Sequence, residues 1–155
     1  MIEIIFVITN ISFLSALYKD GAKNGLKENV FIISNLIREY EKEDYQQIFE
    51  NSDMRFNIIA LDGKVIYDSR KYNEEEKLEN HANRKEVLEV RDTGTGFDIR
   101  KSSISDETMA YYAVKRVNRE GERVVVRVSK NYGETLRMLR LILLAELLFF
   151  TFLNL

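Results

Sequence analysis

The feature that most limits how this chain can fold is the position of its two most apolar stretches, which lie at its two ends. Residues 1–18 read MIEIIFVITNISFLSALY with Glu3 as the only charge, and residues 141–155 read LILLAELLFFTFLNL with Glu146 inside. A membrane-crossing helix needs roughly 20 apolar residues, so both stretches are slightly short. We predict a transmembrane helix for each, because a soluble helix rarely lacks a polar face over such a length. The alternative is a pair of buried core helices.

Composition excludes several classes of functional site. The chain has no cysteine, so it holds no disulfide, zinc–thiolate site or cysteine nucleophile. Its one histidine, His81, cannot supply a site that needs several imidazoles. The formal net charge is −2, from 23 basic and 25 acidic residues, so we expect no nucleic-acid partner. We predict neither a cofactor nor a metal ion.

A helical stripe follows the first apolar stretch. Its members recur at spacings of four and three: Leu26, Val30, Ile33, Ile37 and Tyr40. The stripe favours one of two structures, a helix that pairs with its copy in a dimer or a helix that packs on the domain's own sheet. Gly21 and Gly25, with polar residues between them, favour a flexible juncture before the stripe.

The middle of the chain predicts an α+β domain with an antiparallel sheet of about five strands and helices on one face. Two strands, 55–61 and 64–69, flank the turn Asp62-Gly63, which is a strong hairpin signal. Asn83, with Glu86 three residues later, predicts a capped helix through Arg91 that ends at Gly94. Three further strands are predicted at about 96–103, 107–118 and 122–129. In the last of these, valines alternate with Arg123, Arg127 and Ser129, as in a strand with one buried face.

Between Arg55 and Ser129 the sequence resembles the extracytoplasmic sensor region of phosphate-regulon-type sensor histidine kinases. The matching residues occur in the same order and at similar spacing: Asp62-Gly63-x-Val65 to Asp68-Ser69, Glu79-Asn80-His81 with Arg84 and Glu86, Gly94-x-Gly96, Arg100, Ser102, and Met109-x-Tyr111 to Ala113. The chain departs from the pattern at Leu78, where Met is usual, and at Lys85, where Pro is usual.

The resemblance implies a PAS-like domain of the PDC or Cache type, suspended outside the cell membrane between two transmembrane helices. Its partners would be the lipid bilayer and a second copy in a homodimer. The domains are then a first transmembrane helix, short enough to be truncated (1–18), a membrane-proximal helical region (19–52), the PAS-like sensor (53–130), and a signalling helix entering a truncated second transmembrane helix (131–155). The sequence contains no histidine box and no glycine-rich ATP lid, so we expect no kinase activity from these 155 residues.

In PAS-like folds a ligand lies between the sheet on one side and the short helix and crossover on the other, so the resemblance implies a candidate ligand site there. We predict that six side chains converge there: Asp68, Ser69, His81, Arg84, Arg100 and Tyr111. Arg84, near a helix N-terminus, and Arg100 would bind a small carboxylate or other anion. The alternative is that Asp68 and His81 pair with Arg84 or Arg100 and only fix the crossover in place. The acidic run Glu74, Glu75, Glu76 and Glu79 is expected to be a solvated loop.

Two other functions are compatible with the sequence. One is a stand-alone two-span membrane protein that regulates a separate kinase, so that a partner membrane protein replaces the ligand. The other is a small hydrolase built on Ser69 and His81, which requires the two side chains within hydrogen-bond reach. Ser69 lacks a G-x-S-x-G elbow, so we predict no catalytic residues.

Overall fold

The computed structural model describes residues 2–40, 44–49, 51–70, 79–103 and 105–153. The described residues form four helices and five strands in the order α1 (Ile2–Glu39), α2 (Tyr45–Phe49), β1 (Arg55–Ala60), β2 (Val65–Asp68), α3 (Lys85–Thr93), β3 (Thr95–Lys101), β4 (Thr108–Val117), β5 (Arg123–Asn131) and α4 (Gly133–Leu153). Each predicted strand lies within one or two residues of an observed one.

The strands form one antiparallel sheet of order β2-β1-β5-β4-β3. The turn between β1 and β2 contains Gly63 at φ 92°, a left-handed conformation that glycine adopts without strain. A Cβ at Gly63 would lie 2.2 Å from the backbone nitrogen of Ala82, so the turn also needs glycine to let the crossover pass closely. The predicted α+β class, the five-stranded antiparallel sheet and the long N-terminal helix are confirmed.

One face of the sheet is covered by α1. Leu26, Val30, Ile33 and Ile37 are buried in a core with side chains of β1, β4 and β5. Of the two structures that the stripe favours, the described residues show the second, a helix that packs on the domain's own sheet. Tyr40, its last member, is 43% exposed and lies outside this core.

The opposite face of the sheet is covered by α3, so the prediction of helices on one face only is wrong. Val87 and Val90 of α3 pack against Ile59, Ala113 and Val125 in a second, smaller core. β-Strand side chains alternate between faces, and here both faces carry valine or isoleucine, which is why two helices are needed to bury them.

Two local predictions about helices are also wrong. The short helix begins at Lys85 after Arg84, whose side chain forms no capping hydrogen bond, so the Asn83–Glu86 capping box does not exist. Helix α1 runs unbroken through Gly21 and Gly25, so there is no flexible juncture. Glycine in a helix costs about 1 kcal/mol relative to alanine, and the burial of Leu26 and the residues after it outweighs that cost. The predicted end at Gly94 is confirmed, with φ 81° at the C-cap.

Helices α1 and α4 lie side by side at their outer ends. The rings of Phe6 and Phe150 meet edge to face, with 6.1 Å between their centroids. Among the described residues, no helix is both long enough and apolar enough to cross a membrane.

Candidate functional site

Four arginines meet in a small cavity between the α3 face of the sheet and the crossover. The cavity has a volume of about 10 Å³, close to the space of one water molecule. It is lined by Arg55, His81, Arg84, Arg100, Ser102, Ser103, Tyr111 and Arg127. Four of the six predicted site residues, His81, Arg84, Arg100 and Tyr111, are therefore brought together.

Asp68 lies behind the cavity wall and holds Arg55. Asp68 lies opposite Asn57 in the β1–β2 pair, and it accepts hydrogen bonds from both Nε and Nη2 of Arg55, the former at 2.9 Å. Burial raises the pKa of Asp68, but the hydrogen bonds and charge of Arg55 outweigh it and hold that pKa below its ordinary value. Asp68 is thus an ionised partner that orients Arg55. It does not pair with Arg84 or Arg100, so that detail of the alternative interpretation is wrong.

Ser69 is not among the residues that line the cavity. Its Oγ accepts a hydrogen bond from the backbone N–H of Phe56 at 3.0 Å, and its own N–H donates to the Phe56 carbonyl at 3.0 Å. These two bonds extend the β1–β2 hairpin by one residue. The role of Ser69 in the described structure is to join the start of the crossover to β1.

Glu86 is the buried centre of the site. Its side chain is fully buried, and Oε1 accepts hydrogen bonds from Arg127 Nη1 at 2.9 Å and Arg100 Nη2 at 3.0 Å. Burial raises the pKa of Glu86, but the charges of Arg127 and Arg100 together lower it by more, so the pKa lies below its ordinary value. A buried carboxylate between two guanidinium groups stays ionised.

Arg127 is fixed on three sides. Its Nε and Nη2 donate to Asn57 Oδ1 at 3.2 and 2.8 Å, and Nη1 donates to Glu86. The Arg127 guanidinium also lies over the Tyr111 ring, 5.1 Å from its centroid, and that of Arg100 lies 4.0 Å from the same centroid. Tyr111 therefore holds two cations by cation–π contacts. These hydrogen bonds and ring contacts offset the cost of burying the positive charge of Arg127 inside the domain.

His81 forms the roof of the cavity. It is 6% exposed, and its backbone N–H donates to the Gly63 carbonyl at 2.8 Å. Its Nδ1 is buried and has no hydrogen-bond partner among the described residues. Burial, then the charges of Arg127 and Arg84, lower the pKa of His81 to about 4. The imidazole is therefore neutral at pH 7 and offers an unused polar atom beside the cavity.

Glu79 does not line the cavity itself but binds two residues that do, Arg84 and Ser103. Its carboxylate oxygens each lie 2.8 Å from Arg84 Nη2, and Oε2 also accepts a hydrogen bond from Ser103 Oγ at 3.1 Å. The Glu79 side chain is 56% exposed, whereas those of Asp68 and Glu86 are at most 1% exposed. Glu79 is thus the carboxylate of the cluster that water reaches most easily.

Each guanidinium group of the site already faces a carboxylate in the described structure. Four guanidinium groups face the carboxylates of Asp68, Glu79 and Glu86, and that of Asp98, whose Oδ2 lies 3.3 Å from Arg100 Nε. An added anion therefore has to displace one of the internal carboxylates. Glu79 is displaced at the lowest cost, because its carboxylate is exposed and returns to water, whereas a displaced buried carboxylate would lose its charged partner inside the protein.

Sequence reasoning missed Arg55, Asn57 and Arg127, and assigned Arg127 to the solvent face of its strand. Arg127 is 2% exposed because α3 covers that face. Within the described ranges, no group of three or more acidic or histidine side chains is arranged to hold a metal ion. Glu74, Glu75 and Glu76 of the acidic run lie outside the described residues, and Glu79 binds Arg84.

No protein-family model matches the chain, and a search of curated proteins finds no significant match.

Proposed function

We infer that this chain is the membrane-anchored, extracytoplasmic input domain of a two-component sensor histidine kinase, with a PAS-like fold. The resemblance of residues 55–129 to the sensor region of phosphate-regulon-type histidine kinases supports the assignment. The sheet order β2-β1-β5-β4-β3, with α3 and the crossover on one face and α1 on the other, supports a PAS-like arrangement.

The observation that carries the proposal is that β5 connects the charged cavity directly to α4. β5 contributes Arg127 to the cavity and ends at Asn131, and α4 begins two residues later at Gly133. α4 in turn contacts α1, which lies across β4 and β5. A change around Arg127 is therefore transmitted to the helix pair through a few residues of regular structure.

The exposed apolar ends of this helix pair support a membrane anchor. The outer end of α1 exposes Ile8 and Phe13, and that of α4 exposes Leu141, Leu148 and Phe152, each by more than half of its surface. Contiguous exposed apolar surface of this kind marks a membrane or protein interface. In the proposal the helix ends lie in the bilayer, the sheet lies outside the cell, and two copies form the signalling unit.

The input is a small carboxylate that replaces Glu79 on Arg84 and Ser103. Arg84 already binds a carboxylate there, so the geometry for an external one is present. Release of Glu79 frees the end of the crossover and enlarges a cavity that otherwise admits about one water. The ligand then reaches His81 and Arg127, and its preference for the open arrangement shifts the helix pair. The coupling is typically about 1–3 kcal/mol.

The test measures thermal unfolding of the full chain in lipid nanodiscs with acetate or succinate at constant ionic strength. A ligand at 100 times its Kd stabilises the folded state by about 2.7 kcal/mol. We expect one of the two anions to raise the Tm, Glu79→Gln to strengthen this response by removing the internal competitor, and Arg84→Ala to abolish it. Glu120→Gln is the matched control, because it makes the same change at an exposed residue of the turn between β4 and β5 that does not line the cavity. No response to either anion in the wild type and in Glu79→Gln would refute the carboxylate site.

A stand-alone regulator of a separate kinase uses the same helix pair and differs in having a protein partner instead of a kinase core. The hydrolase alternative has no support, because Ser69 Oγ is engaged by Phe56 N–H and His81 Nδ1 has no partner among the described residues.

A further inference from the structure

A second cavity, larger and apolar, lies on the other side of the sheet where α1, α4 and the ends of β4 and β5 meet. Its volume is about 550 Å³, within the range of about 300–1,000 Å³ typical of small-molecule sites. The lining is mainly apolar and includes Leu14, Leu17, Leu26, Met54, Ala110 and Tyr132. It shares no lining residue with the charged cavity under α3.

Two residues of α1 that have no side chain contribute open space to the cavity. Gly21 and Gly25 both line it, and a Cβ built on either one would meet no atom within 4 Å. Both residues lie in regular helix, so alanine or a larger residue fits their backbone conformation. The glycines therefore leave an open channel along α1, bounded by Leu14 at one end and Asn29 at the other.

The volume of the cavity excludes a partner helix that is wholly inserted, so a helix could place only one face in this open groove. From Leu14 to Asn29 an α-helix rises about 22 Å, and a helix of that length with side chains, about 10 Å across, occupies about 1,700 Å³. This is about three times the volume of the cavity, 550 Å³. The volume therefore favours a single aliphatic chain as the molecule that is enclosed.

Position and charge indicate what kind of molecule carries that chain. The cavity opens beside the exposed apolar surface of the helix pair, where Phe13 and Leu17 of α1 are each more than half exposed. Lys130 is the only charged side chain in the lining, and Asn131 lies next to it. Lys130 Nζ contacts Asp53 at 2.6 Å, and both side chains are more than half exposed, so this pair rearranges at little cost.

We propose that this groove binds the aliphatic chain of a fatty acid, with the chain along Gly21 and Gly25 and the carboxylate at Lys130. The site is independent of the proposed carboxylate input, since it lies on the opposite face of the sheet. It places a lipid-derived ligand against both helices that carry the signal.

The test uses the full chain in lipid nanodiscs and a hexadecanoic acid that bears a photoactivatable diazirine on its chain. After irradiation, we expect peptide mapping to find adducts at Met54, Leu26 or Tyr132, and unlabelled hexadecanoate to compete for them. Gly25→Leu fills the groove and should reduce these adducts at least about 10-fold, while Gly25→Ala, the matched control, should keep them. Both variants remain helical, so the Tm of each serves as the check that it is folded.

Lys130→Gln tests the head group. Because an exposed charge pair is worth about 0.2–1 kcal/mol, we expect this substitution to weaken competition by hexadecanoate about 1.4- to 5-fold and to leave competition by hexadecanol unchanged. Adducts that persist in folded Gly25→Leu, or that spread evenly over the outer surface of α1 and α4, would overturn the proposal. Equal competition by the acid and the alcohol in the wild type would overturn the assignment of the carboxylate.

Discussion

Protonation of His81 should destabilise the fold, and the effect can be isolated because His81 is the only histidine in the chain. The side chain is 6% exposed, its Nδ1 has no hydrogen-bond partner among the described residues, and Arg127 and Arg84 lie nearby. Burial and these two positive charges lower the pKa of His81 from 6.5 to about 4. The folded state therefore holds the imidazole neutral at a pH where the unfolded chain binds a proton.

The sign and size of the effect follow from the two pKa values. Since the unfolded state binds the extra proton, stability from His81 is complete above pH 6.5 and falls as the pH drops toward 4. At pH 5, which is about 1.5 units below the pKa of the unfolded imidazole, proton binding lowers the free energy of the unfolded state by about 2 kcal/mol. The free energy of unfolding falls by the same amount. For a chain of this size the Tm should fall by about 4–8 °C between pH 7.5 and pH 5. Most carboxylates remain ionised in both states above pH 5 and contribute little.

The assay is thermal unfolding of the full chain in nanodiscs, followed by circular dichroism at several pH values between 7.5 and 5. We expect His81→Asn to remove most of the pH dependence, whatever its effect on stability at pH 7.5. The readout is therefore the slope and not the absolute Tm. A wild-type Tm that is flat over this range, or a slope that persists in His81→Asn, would refute the reasoning.

Four further substitutions test the packing around the site, two of them close to it and two elsewhere for comparison. Glu86→Gln leaves Arg127 buried without its ionised partner and should cost about 3–5 kcal/mol in the free energy of unfolding, measured by denaturant titration. Asp53→Asn, which breaks an exposed ion pair, should lower the free energy of unfolding by less than about 1 kcal/mol. If both variants lost the same free energy of unfolding, burial of the charge would be irrelevant. Gly96→Ala puts a Cβ 2.0 Å from the Glu86 carbonyl oxygen and should lower the Tm strongly, whereas Gly21→Ala has open space and should stabilise α1 by up to about 1 kcal/mol. A Gly96→Ala protein as stable as the wild type would contradict the close approach of β3 and α3.

Local sequence signals were sufficient to predict the strands of this fold. The Asp62-Gly63 turn and the alternating valines of β5 depend on backbone geometry that each segment satisfies by itself. The α1 stripe was also visible, but its partner was not, because a row of apolar side chains fits a sheet and a second helix equally well. Tertiary packing decided between them.

The charged site was predicted only in part, because local sequence signals do not show which helix covers a strand. Arg84, Arg100 and His81 were placed together because the resemblance implied a ligand position between the sheet and the short helix and crossover. Arg127 looked like a solvent-facing residue because alternation shows which side chains share a face but not whether a helix covers that face. Its burial depends on α3, which is 30 or more residues away in sequence, and on Glu86, which resembled a helix-capping residue.

The most direct test of the central claim is the accessibility of a single cysteine on the sheet domain of the full chain in intact bacterial cells. Because the chain has no cysteine, Glu120→Cys in the exposed turn between β4 and β5 provides one unique thiol. The protein should stay in the membrane fraction after alkaline extraction, and a membrane-impermeant maleimide should label it without lysis. Extraction into the soluble fraction, or labelling only after the cells are lysed, would contradict a membrane-anchored sensor that faces outward.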